Sequence, residues 1–158
     1  MKIEFKLNGQ TATFEAGAND TLYGMLRSLG ISSVKCGCET TNCGLCTVHM
    51  DGKAVLSCSV PAMRCNGRDI RTLEGMGDAA KALADCLADE GADQCGFCAP
   101  GMMMNVLMLA SGKRHTGKNG MPFLFSRHIL TPQRLQSRIY HRDTAIMRLT
   151  DIPEKASV

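Results

Sequence analysis

Four cysteines, Cys38, Cys43, Cys46 and Cys58, stand in the order C-x4-C-x2-C…C, and no other feature limits the fold of this 158-residue chain so strongly. Three thiols on one short loop meet a common centre only where the chain turns back on itself. The fourth must return from a later element. Gly37 and Gly44 sit inside that loop, where glycine admits positive φ values and leaves backbone N–H groups uncovered, able to point at sulfur. Thiolates gathered in this way bind soft metal centres.

Nine cysteines in a secreted chain of this length would read as a disulfide framework. The start of the chain argues against secretion. Met1-Lys2-Ile3-Glu4-Phe5-Lys6-Leu7 alternates apolar with charged residues where a signal peptide needs an apolar run. The most apolar stretch, residues 101–110, is interrupted by Asn105 and is far too short to span a bilayer. The expectation is a cytoplasmic protein with metal-bound thiols and no membrane insertion. Its net charge of +3 conceals an asymmetry: residues 1–111 hold nine Lys+Arg against twelve Asp+Glu, and residues 112–158 hold nine against three. The basic residues of the tail are scattered without interleaved aromatics, so nucleic-acid binding is not expected.

The opening reads as a hairpin: Ile3, Phe5 and Leu7 alternate with polar residues, Asn8-Gly9 turns, and Ala12 and Phe14 return. Leu22, Met25, Leu26 and Leu29 follow at helical spacing, with Asn19 or Asp20 as N-cap and Gly30 as stop. Thr47-Val48-His49-Met50, the turn Asp51-Gly52 and Lys53-Ala54-Val55-Leu56 form a second hairpin, and Asp69-Ile70-Arg71-Thr72-Leu73 a last short strand. Two hairpins flanking one helix suggest a β-grasp sheet with the cysteine loop on its rim. Beyond Glu74-Gly75-Met76-Gly77 the composition changes. Residues 79–91 read as a helix, Gln94-Cys95-Gly96-Phe97-Cys98 breaks it, and a second helix runs from about Pro100 to Ala110, apolar nearly all round and so expected at the centre of a bundle. Its methionines read as packing material.

The spacing of Cys38, Cys43, Cys46 and Cys58 is the one by which plant-type ferredoxins hold a [2Fe–2S] cluster. A zinc site is the competing reading, since Cys43/Cys46 with Cys95/Cys98 make two C-x2-C pairs. That pairing leaves Cys38 and Cys58 unused, whereas the iron–sulfur reading uses all four. Cys36 reads as a spare thiol, Cys65 and Cys86 as packing residues, and His49, His115, His128 and His141 as surface or half-buried side chains. A thioredoxin-like role for Cys95 and Cys98 would need a βαβ pattern that the chain lacks.

Five strings together resemble the iron–sulfur subunit of the molybdenum hydroxylases, the family of xanthine dehydrogenase, aldehyde oxidoreductase and aerobic CO dehydrogenase. They are Ser33-Val34-Lys35-Cys36-Gly37-Cys38, Cys43-Gly44-Leu45-Cys46-Thr47-Val48, Cys58, Ile70-Arg71-Thr72-Leu73-Glu74-Gly75 and Gln94-Cys95-Gly96-Phe97-Cys98-Ala99-Pro100-Gly101. The resemblance implies an α+β chain, with an N-terminal β-grasp domain (residues 1–74) and a C-terminal helical-bundle domain (75–158), each built for a [2Fe–2S] cluster. It implies that Cys38, Cys43, Cys46 and Cys58 ligate the first cluster, that Cys95 and Cys98 supply half of the second, and that Gln94 touches the pterin. The partners it implies are a molybdopterin-binding large subunit and an FAD-binding medium subunit.

The family then calls for two further cysteines in a Cys-Arg-Cys string. No cysteine follows Cys98, and the region reads Arg134-Leu135-Gln136-Ser137-Arg138-Ile139-Tyr140-His141. Residues 112–158 are therefore atypical: a frameshifted or altered remnant, a divergent end that abandoned the second cluster, or a site completed by His128 and His141, as two histidines serve in Rieske centres. The first two are favoured. A helix start near Thr131-Pro132 and a last helix over 144–149 are still expected. The function so implied is electron transfer from a molybdopterin centre to FAD, with no bond chemistry on substrate and no catalytic residue in this chain. A free-standing ferredoxin-like carrier, or an assembly subunit with impaired electron transfer, is the alternative.

Overall fold

A computed structural model describes residues 1–111. The expectations for His115, His128, His141 and the two helices after Thr131 lie outside the described residues.

The chain forms a mixed five-stranded sheet and three α-helices. Strand β1 (Lys2–Leu7) pairs antiparallel with β2 (Gln10–Glu15), with Leu7 opposite Gln10 across the turn. Asn8 and Gly9 both take positive φ, 52° and 85°, which gives the turn a twist matched to the strands it joins. Ile3 and Phe5 are buried while Lys2, Glu4 and Lys6 face water, as alternation requires. Helix α1 (Leu22–Ser28) buries Leu22, Met25 and Leu26 against that apolar face.

The helix is capped by Thr21, whose hydroxyl accepts from the Gly24 N–H at 3.1 Å, and not by Asn19 or Asp20. Asp20 is engaged elsewhere, accepting from the Gly17 N–H at 2.8 Å. At the other end the Gly30 N–H reaches Arg27 O and the Ile31 N–H reaches Leu26 O, a Schellman closure in which Gly30 takes φ 84°. Leu29 falls on the cap, and is exposed rather than on the core face.

Strands β3 (Thr47–Met50) and β4 (Lys53–Leu56) make the second hairpin, and β5 (Asp69–Arg71) enters between β1 and β3. The sheet order is β2-β1-β5-β3-β4, with β5 parallel to β1 and antiparallel to β3. Ile3, Phe5, Val48 and Ile70 from the sheet, with the α1 face, Val34, Ala62 and Cys65, form the first core.

Helix α2 (Gly77–Asp89) and helix α3 (Ala99–Ala110) build a second, smaller core from Ala79 and Leu83 against Met103 and Leu107. The spacing of four between partners on each helix explains the pairing. Helix α3 also lies on β3. The Asn105 side-chain N–H donates to Thr47 Oγ1 at 3.2 Å, and His49 Nε2–H donates to Met104 O at 2.7 Å. Strand β3 is therefore covered on both sides: Val48 points into the first core while Thr47 and His49 meet α3. His49 is thus buried, which corrects the expectation of a surface or half-buried side chain. Among the described residues no helix is long and apolar enough to cross a membrane.

Candidate metal centre

The cysteine loop runs from α1 to β3 and is held at both ends. The Lys35 N–H donates to Leu45 O at 3.3 Å, and Thr47 closes on Gly44 O with its N–H at 3.1 Å and its hydroxyl at 2.6 Å. Gly44 takes φ 76°, the left-handed turn expected of it. Gly37 does not. It is a glycine for reasons of space: a Cβ there would run into the Leu45 side chain, with Cys43 Sγ 3.4 Å away.

The fold gathers the four predicted residues Cys38, Cys43, Cys46 and Cys58 into one pocket, together with Lys35, Cys36, Gly37, Asn42 and Gly44. Cys58 comes from the 3₁₀ turn Ser57–Ser59 after β4. Ser57 brings it there, donating its N–H at 3.1 Å and its hydroxyl at 2.8 Å to Cys46 O, so that Cys58 Sγ stands 3.3 Å from Cys46 Sγ. Cys38 and Cys43 are linked in turn, the Cys43 N–H donating to Cys38 Sγ at 3.3 Å. Among the described residues no three His, Cys, Asp or Glu side chains draw together tightly enough for one metal ion. The thiols fall instead into two pairs, a donor set that suits a two-iron centre.

The electrostatics also favour bound cations. Cys38 Sγ accepts from the Asn42 N–H at 3.4 Å and the Cys43 N–H at 3.3 Å, and these amides, Asn42's first, lower its pKa to about 6. Burial pushes the Cys43 thiol up. Burial, followed by the neighbouring Cys46, pushes Cys58 up to about 12. Several thiolates crowded in one pocket repel each other, and metal ions relieve that repulsion by replacing the protons. Cys65, wholly buried in the first core, is likewise pushed up, to about 11, chiefly by desolvation, and has no place in the pocket.

Gln94, Cys95 and Cys98 lie on a separate loop between α2 and α3. Gly96 turns it at φ 74° and donates its N–H to Asp93 Oδ1 at 3.0 Å. Gln94 and Cys95 are exposed, and Cys98 is half-buried at the N-cap of α3. The two cysteine loops adjoin through Gly101, which packs on Gly44 and Leu45.

Sequence reasoning passed over Lys35, Asn42, Ser57 and Gly101. A lysine beside the first cysteine and a serine before the last were visible signals. The Gly101 contact joins residues too far apart in the chain to be foreseen.

Two family models match the chain: a 2Fe-2S iron-sulfur cluster binding domain over residues 5–73 and a [2Fe-2S] binding domain over residues 72–129. The xanthine dehydrogenase iron-sulfur-binding subunit of Escherichia coli O157:H7 is 42% identical over 104 residues, 65% of this chain and 65% of that one. The nicotine 6-hydroxylase small subunit of Paenarthrobacter nicotinovorans is 39% identical over 111 residues, 69% of this chain and 67% of its own length. Among solved structures, quinoline 2-oxidoreductase from Pseudomonas putida 86 superposes with a TM-score of 0.69 at 27% identity, covering 89% of this chain and 97% of that one.

Proposed function

The chain belongs to the [2Fe–2S] small subunits of the molybdenum hydroxylases, and from that membership we propose that it passes electrons from a molybdopterin centre to FAD, both held by partner subunits. A [2Fe–2S] cluster bound by Cys38, Cys43, Cys46 and Cys58 supplies one-electron redox chemistry. The observation that carries this reading is the Cys38–Cys43–Cys46–Cys58 pocket, with two thiol pairs and two backbone amides aimed at Cys38 Sγ.

The residues of this chain hold, shield and tune. Ser57 and Thr47 lock the loop that carries the thiols, and the Asn42 and Cys43 amides stabilise negative charge on sulfur. Cys46, almost fully buried, keeps water from one side of the pocket. No side chain here is assigned bond chemistry on substrate. We further assign residues 1–74 to a β-grasp domain and 75–158 to a helical-bundle domain. In the second, Cys95 and Cys98 stand where half the ligands of a second centre would lie, and Gln94 where it would face the pterin. The sequence offers no later cysteine to complete it. The chain works in the cytoplasm with a large molybdopterin-binding subunit and a medium FAD-binding subunit. The packing of α3 on the cysteine loop favours this over a free-standing carrier, which needs only the first domain.

Isolation of the tagged full chain from its host tests the reading. Co-purification with a molybdenum-containing and a flavin-containing protein is expected. A lone monomer that reduces acceptors by itself contradicts it.

A further inference from the structure

The Glu74 carboxylate collects four hydrogen bonds from two separate stretches of chain. Oε1 accepts from the Ser32 N–H at 3.2 Å and the Ser33 N–H at 2.9 Å; Oε2 accepts from the Ser33 and Thr72 hydroxyls, each at 2.6 Å. Hydroxyl contacts of that length to a carboxylate are charge-assisted. A glutamate serving only as a helix-start charge would draw donors from its own turn. Three of these four come from residues 41 or 42 positions earlier.

Ser32 and Ser33 are the root of the cysteine loop. Val34, next in the chain, is buried in the first core, and the Lys35 N–H holds Leu45 O beside Cys46. On its other side Glu74 sits in the 3₁₀ turn Leu73–Gly75, which leads into α2. That turn is itself fastened to the first hairpin. Asn8 donates to Thr72 Oγ1 at 3.0 Å and accepts from the Thr72 N–H at 2.8 Å, and only a glycine at position 75 leaves room for the Asn8 side chain.

We propose that Glu74 is a positioning residue for the Cys38–Cys43–Cys46–Cys58 centre, clamping the root of the cysteine loop to the turn that carries the second domain. The role deepens the iron–sulfur reading of that pocket and rests on it. Glu74 on Ser32 and Ser33 thus joins Thr47 on Gly44 O, Ser57 on Cys46 O and Gly101 against Leu45 in anchoring the loop. Glu74 alone among them is charged, and its exposure to water makes it the anchor that a single substitution can release without opening the core.

The full chain, reconstituted anaerobically with ferrous iron and sulfide, provides the test. Wild type, E74A, E74Q and N8G are compared by the EPR g-values of the reduced centre, its midpoint potential, the rate of iron release to a chelator, and thermal unfolding. N8G keeps a residue suited to positive φ and cuts only the Thr72 bonds, so it lowers Tm with g-values and release rate unchanged. E74A releases iron about three-fold faster, the scale of a water-exposed charged contact, with altered g-values and a shifted potential. E74Q, which keeps an acceptor for the two amides, falls between. Should E74A not fold, E74Q and S33A make the same comparison. Variants that match wild type in g-values, potential and release rate, whatever their Tm, overturn the positioning role alone. A wild-type chain that assembles no iron–sulfur centre overturns the underlying reading and this role with it.

Discussion

Gly101, in the first turn of α3, stands directly over Leu45: a Cβ at position 101 would lie 2.7 Å from Leu45 Cα and 2.8 Å from Gly44 O. Both neighbours are backbone, so neither can rotate away. G101A therefore forces α3 off the loop between Cys43 and Cys46. The expected cost is about 1–3 kcal/mol, typical of overpacking, read from the denaturant midpoint of the full chain. A wild-type midpoint would contradict close packing of α3 on the loop.

Removing a ligand differs from removing a spare thiol. C58S breaks the Cys46–Cys58 pair, which stand 3.3 Å apart, and should abolish iron uptake. C86S, on the half-buried face of α2, should leave iron content at the wild-type value. C36S should do the same, although Cys36 lines the pocket, because the four-thiol set is complete without it. Iron and acid-labile sulfide analysis of the three variants reads the difference.

His49 pins β3 to α3 through its 2.7 Å bond to Met104 O. In H49F the ring fills similar space but the bond is gone. The loss should cost about 1–3 kcal/mol, the range for removing one partner of a buried hydrogen bond. Urea unfolding measures it, and the visible spectrum of the reconstituted chain should stay the same because no thiol moves.

Glu74 adds a pH dependence of known sign. Partial desolvation alone would raise its pKa, but the hydroxyls of Ser33 and Thr72 and the Ser33 amide outweigh it and lower the pKa from 4.5 to about 2. A carboxylate with a depressed folded-state pKa contributes stability that is full above its unfolded value and is lost as pH falls through its folded value. The stability difference between wild type and E74Q, measured on the metal-free chain, should hold above pH 4.5 and shrink between about pH 4.5 and 2. A difference that stays constant across that window would contradict the lowered pKa.

What was legible in the sequence was local. Asn8-Gly9 and Asp51-Gly52 announce both hairpins, because their positive φ values demand those residues. The apolar face of α1 shows in Leu22, Met25 and Leu26. The N-cap is not legible locally, because Asn19, Asp20 and Thr21 are all competent caps, and the Asp20–Gly17 turn leaves Thr21 to bond Gly24. His49 falls on the face of β3 opposite Val48, and the sequence suggested a surface or half-buried side chain there. That α3 covers this face is a contact between residues 55 apart and leaves no local trace. The same holds for Glu74 and Ser33: both lie in strings that carried the family resemblance, yet their bond spans 41 residues. In the cysteine loop the spacing alone pointed to the pocket, because thiols that share a centre must keep fixed intervals on a short chain.

The most direct measurement is anaerobic reconstitution of the full chain, with iron and sulfide counted and the reduced protein examined by EPR. The expected result is two irons and two sulfides per chain held by Cys38, Cys43, Cys46 and Cys58, one paramagnetic signal on reduction, and loss of all three in C58S. A folded chain that stays colourless, takes up zinc alone and gives no signal would contradict it.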